Sequence, residues 1–83
     1  MNIQEVREKM FIALDEIGII IDNKQEDFDL QEYITDSVTF ITFIVNIEKQ
    51  LEIEIPDDLL LITKMRSFTA YCETMLSVVN NIL

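Results

Sequence analysis

The sequence predicts an all-α fold, and two observations carry that prediction. One glycine and one proline in 83 residues leave few places to turn a β-hairpin. Apolar residues make up 49% of the chain and recur at spacings of three and four, the pattern of helices that each bury one face. A chain of this length forms one domain with a small core, burying about 60–65% of the surface its unfolded form exposes. Its apolar content is too high for disorder.

The first helix is expected from Ile3 to about Ile17, where Ile3, Val6, Met10, Ala13, Leu14 and Ile17 make one stripe. Glu5, Arg7, Glu8, Lys9, Asp15 and Glu16 take the other faces, and Gly18 is the residue able to end the helix in a left-handed conformation. From Ile19 to Thr35 the periodicity breaks. Phe28, Leu30 and Ile34 are expected to fold this loop back onto the helices, because a loop of such length in a small domain needs an anchor. Its acids, from Asp22 to Glu32, have neither the glycine nor the ligand spacing of a calcium loop; they read as a solvated face, with at most weak divalent binding and no metal site.

A second helix is expected from Ser37 to about Leu51, entered through Asp36, whose carboxylate suits the N-cap position. Successive residues turn by about 100°, which gathers Phe40, Phe43, Ile44, Ile47 and Leu51 into a core stripe. Val38, Ile41 and Val45 form a second apolar stripe roughly 140° away, too far round to share that core. Ile55-Pro56 forces an extended residue, after which Asp57 or Asp58 can cap a short turn through Leu59, Leu60, Leu61 and Ile62. The last helix starts near Ser67 and faces inward with Phe68, Tyr71 or Cys72, Met75 and Val79.

Sixteen acidic and six basic side chains give a net charge of −10, which repels nucleic-acid phosphates and anionic lipid headgroups. The same field attracts basic protein surfaces and keeps a small apolar-rich chain soluble, and composition does not separate these two uses. The N-terminus lacks the basic start and continuous apolar core of a signal peptide. The longest uncharged run, Ser37 to Ile47, is far short of the roughly 20 residues of a membrane helix. A lone cysteine forms no internal disulfide, consistent with a cytoplasmic location. Histidine is absent, no glycine-rich phosphate loop exists, and Cys72 sits on an apolar stripe where it reads as an inert small hydrophobe. The chain is therefore not expected to be an enzyme.

Ser37 would lie at the positive end of a helix dipole, among unpaired first-turn amides, where a phosphate is favoured. Taken locally it is an ordinary first-turn serine. Its context changes the reading: Asp36-Ser37-Val38 resembles the modification site of acyl and peptidyl carrier proteins, and Glu48 through Ile55-Pro56-Asp57-Asp58 resembles the end of that family's second helix and the approach to its short third one. The two matches fall in the expected order. One departure is that the family often has glycine two residues before the aspartate, where this chain has Ile34.

The resemblance implies a single carrier domain over residues 1–83, folded as a small antiparallel bundle of three main helices with one short helix before the last. It implies 4′-phosphopantetheine, derived from coenzyme A, on Ser37, with Asp36 capping the helix and orienting the serine. A phosphopantetheinyl transferase, a loading enzyme and downstream synthase or transferase enzymes are the implied partners of a monomeric protein. Docking is expected on Val38, Ile41 and Val45, flanked by Asp36 and Glu48. A fatty cargo is expected to shelter among Phe43, Ile47, Ile55 and Ile62. The implied function is shuttling of thioester-linked acyl groups in fatty acid, polyketide or related biosynthesis. Two other uses are an aminoacyl or peptidyl carrier of a nonribosomal pathway and an unmodified helical adaptor.

Overall fold

The apolar stripes become helices. The computed structural model describes residues 1–56 and 66–82, and these contain α1 (Ile3–Glu16), a single 3₁₀ turn (Leu30–Glu32), α2 (Ser37–Leu51) and α3 (Phe68–Ile82), with no strand among the described residues. The short turn expected through Leu59–Ile62 lies outside them. The radius of gyration, 11.6 Å, is that of a compact domain of this length, about 12 Å, so the long loop is packed rather than extended.

Helix α1 begins at Asn2, whose side-chain oxygen accepts the Glu5 amide at 2.9 Å. Val6, Met10, Ala13 and Leu14 are buried and Ile3 and Ile17 partly so, as the stripe requires; Phe11, on its flank, is buried as well. Gly18 stops the helix with φ +84°. The Gly18 amide bonds to the Asp15 carbonyl and the Ile19 amide to that of Leu14, both at 3.0 Å, the paired bonds of a glycine C-terminus. Helix α2 ends the same way without a glycine: Glu52 adopts φ +56° and the Ile53 amide reaches back to the Glu48 carbonyl at 3.2 Å.

The loop between α1 and α2 is held at several points. Leu30 and Ile34 are buried, the Ile34 amide closes on the Leu30 carbonyl at 2.8 Å, and Asp29 caps the 3₁₀ turn by accepting the Gln31 amide at 2.8 Å. Position 34, where a glycine is common in the resembling family, is thus a core position in this chain. The firmest anchor is the start of α3, where all four first-turn amides are satisfied. Phe68 N–H bonds to the Phe28 carbonyl at 2.8 Å, and Thr69 N–H to Asp27 Oδ1 at 2.8 Å. Ala70 N–H bonds to Ser67 Oγ at 3.1 Å and Tyr71 N–H to the Ser67 carbonyl at 2.9 Å. Ser67 Oγ in turn donates to Asp27 Oδ2 at 2.6 Å. Asp27 was expected in a solvated loop face; instead its carboxylate joins the loop to α3.

Rings reinforce that joint. Phe28 stacks on Phe68, with centroids 4.6 Å apart and planes at 15°, while Phe11 lies 4.7 Å from Phe68. Such pairs add about 0.5–1.5 kcal/mol each beyond the area they bury. The Arg7 guanidinium lies 5.4 Å over the Phe68 ring and donates from Nη2 to the Lys24 carbonyl at 2.7 Å. The rest of the core comes from Phe43, Ile44, Ile47 and Leu51 of α2, from Ile53 and Ile55 beyond it, and from Tyr71, Cys72, Met75 and Val79 of α3. Burial pushes the Cys72 thiol up to about 12, so at neutral pH it is a packed, unreactive side chain.

Two expected outcomes follow from these anchors. A side chain at φ +56° costs roughly 1 kcal/mol relative to glycine, so Glu52→Gly should raise the melting temperature by about 4–8 °C, with Glu52→Gln as the control for lost charge. A lower value would mean that Glu52 is not strained. Hydrogen bonds from Ser67 first and Thr69 next hold the Asp27 carboxyl below its ordinary 3.8. A depressed carboxylate stabilises the fold above its unfolded pKa and loses that contribution as pH falls through the folded one. Asn offers one acceptor where Asp27 uses two, so Asp27→Asn should be less stable than wild type at neutral pH, and denaturant melts of the two should converge below 3.8.

Candidate functional site

At the start of α2 the backbone at Asp36 is extended, with φ −130° and ψ 157°, and Asp36 Oδ2 accepts the Thr39 amide at 3.0 Å. The Asp36 carbonyl takes the Phe40 amide at 3.1 Å. Hydrogen bonds from Thr39, its side chain before its amide, hold the Asp36 carboxyl below its ordinary 3.8, so it is ionised at neutral pH. This is the cap expected from the residue type. It leaves a different balance from that at α3. The Ser37 amide makes no hydrogen bond among the described residues, and the Val38 amide adds only a minor pull on the Asp36 carboxylate. Ser37 is exposed on the first turn, so its hydroxyl stands beside donors that have spare capacity at the positive end of the helix.

An open apolar groove of about 450 Å³ begins at that serine. Among the described residues it is lined by Ser37, Phe40, Ile41, Ile44, Val45 and Glu48, so it follows three turns of α2, about 16 Å. Phe40, expected in the core stripe, is only partly buried and lines the groove instead. Val38, Ile41 and Val45 remain 72%, 60% and 41% exposed. Glu48 closes the far end and is not a free charge, since its Oε2 accepts the Ile55 amide at 2.9 Å.

The residues expected to hold a fatty chain are placed differently. Phe43, Ile47 and Ile55 are buried in the core and do not line the groove; Ile62 lies outside the described residues. Ile44 belongs to both the groove and the core cluster, and it is the contact between them. Sequence reasoning had assigned Ile44 to the core stripe alone, and nothing local marked Phe40 as a groove residue.

This arrangement fits a covalently attached phosphate ester. It offers an exposed hydroxyl, a capping carboxylate and first-turn amides with capacity for phosphate oxygens. Among the described residues no group of carboxylates and thiols is arranged to hold a metal, and no helix is long and apolar enough to cross a membrane. No curated protein sequence and no solved structure matches the chain significantly. A family profile described as the phosphopantetheine attachment site matches residues 12–72, from the second half of α1 through all of α2 into α3. Domains of this kind are carriers rather than catalysts and hold 4′-phosphopantetheine covalently. With most of its length inside that match, the chain belongs to the phosphopantetheine attachment site family.

Proposed function

We propose that Ser37 is the attachment residue, and that residues 1–83 act as one cytoplasmic, monomeric carrier domain shuttling thioester-linked acyl groups in fatty acid, polyketide or related biosynthesis. The observation that carries this reading is the start of α2, where an exposed serine adjoins a capping carboxylate and an apolar groove. In the loading step Ser37 Oγ forms a bond to the inner phosphorus of the phosphopantetheinyl group of coenzyme A. Adenosine 3′,5′-bisphosphate leaves, and the hydroxyl proton passes to a base of the transferase. The attached group supplies a thiol for thioester formation. The chain's own work is to hold the attachment point, with Asp36 fixing the first turn, and to present a surface to a loading enzyme and to downstream synthases or transferases.

A fatty cargo is proposed to shelter against Phe43, Ile47, Ile55 and Ile62, entering past Ile44 from the groove, with about 0.8 kcal/mol gained per methylene removed from water. A second reading, an aminoacyl or peptidyl carrier, is favoured by one observation: no charge occurs on α2 from Ser37 to Ile47.

Incubation with a phosphopantetheinyl transferase and coenzyme A should add one phosphopantetheinyl group, read as intact mass. Ser37→Ala should abolish the gain and leave the helical circular dichroism nearly unchanged. A full gain in the alanine variant would sink the assignment, and no gain in wild type would favour an unmodified adaptor. Asp36→Asn keeps an acceptor for the Thr39 amide. It should therefore slow modification more than it lowers the melting temperature; modification at the wild-type rate would reduce Asp36 to a cap.

A further inference from the structure

We infer that the enzymes acting on the group at Ser37 grip this chain through an apolar contact along α2, with basic residues of their own only at the two ends of that contact. The inference rests on the carrier reading above and adds the chemistry of the partner. Val38, Ile41 and Val45 leave aliphatic side chains in water beside the attachment point. Thr42, also exposed on α2, donates its hydroxyl to the Val38 carbonyl at 2.9 Å, so it presents little free hydrogen-bonding capacity. In a chain of net charge −10, the whole stretch from Ser37 to Ile47 is uncharged. Charge returns at its ends, with Asp36 at one and Glu48 and the exposed Glu52 and Glu54 at the other. The complementary surface has an apolar centre and cations at either end, about 16–18 Å apart by the rise of the helix.

Ser37 decides the occupant. It lines the same groove as Ile41 and Val45, so an active site that receives the attached group must lie against this face. A second copy of a chain with net charge −10 is repelled. A tethered cargo lying in the groove would cover Ile41 and Val45 and leave Val38, which does not line it, in water.

The test uses a phosphopantetheinyl transferase with coenzyme A as the partner, measuring kcat and KM for the unmodified chain as wild type, Val38→Ala and Ile41→Ala, at ionic strengths of about 0.05 and 0.5 M. All three side chains on this face are exposed, so truncation spares the fold, which circular dichroism verifies. Ile41→Ala should raise KM about tenfold with little change in kcat, the loss expected for the buried methylenes removed. The wild-type KM should change by less than about threefold between the two salts, because apolar contact is not screened. A steep rise of KM with salt and silent alanine variants would show electrostatic docking and overturn the inference. If the variants leave KM unchanged but weaken self-association in sedimentation, a second copy is the occupant. If they only lower the melting temperature of the acyl-loaded form, it is the cargo. Either result also overturns it. Failure of the carrier reading looks different: wild type gains no mass at any salt, or Ser37→Ala gains it, and the ground for the inference goes with it.

Discussion

A loop from Ile17 to Asp36 with one turn of regular structure costs closure entropy and leaves backbone groups to satisfy, and in this domain one joint does most of both tasks. Phe28 gives its carbonyl to the Phe68 amide and lays its ring on the Phe68 ring, while Asp27, the residue before it, takes the next amide and the Ser67 hydroxyl. The loop thereby acts as the N-cap of α3. Phe11 and Arg7 of α1 close over the same rings, so three segments distant in sequence meet at one place. Once the joint is made, Leu30 and Ile34 lie in the core and Asp36 is delivered to the start of α2.

The two helix starts divide the chemistry between them. At α3 every first-turn amide has an internal acceptor, which suits a structural end. At α2 Asp36 takes the Thr39 and Phe40 amides and leaves capacity around Ser37. Capping by the residue before the serine steadies the turn without occupying the donors that a phosphate would use. The same short segment therefore serves rigidity and attachment, and the groove that begins there gives the attached group an apolar neighbour.

What could be read from the sequence was what depends on local spacing. The stripes of α1 and α2, the cap at Asp36, the stop at Gly18 and the exposed Val38, Ile41 and Val45 all follow from periodicity and residue type. What could not be read depends on partners distant in the chain. Phe11 is buried because Phe68 and, further off, Phe28 come to it; by spacing alone it is a flanking residue. Arg7 looked like a solvated charge and is a cation over two rings. Asp27 was one acid among many until the start of α3 came within reach of it. Phe40 fits the core arc by angle, but it lies on the first turn beside the groove and is only half covered.

Glu48 does two things with one carboxylate. Oε2 holds the Ile55 amide and so braces the extended segment that follows α2, while the same side chain closes the groove that begins at Ser37. A cation brought to this end by a docking enzyme would share the carboxylate with that amide and draw on the brace as it binds. Recognition at the surface and the path of the chain through Ile53 to Pro56 are thus mechanically linked through a single side chain. Mutational maps of the docking surface will find Glu48 more sensitive than its charge alone warrants, because its removal also frees a backbone amide next to the core residue Ile55.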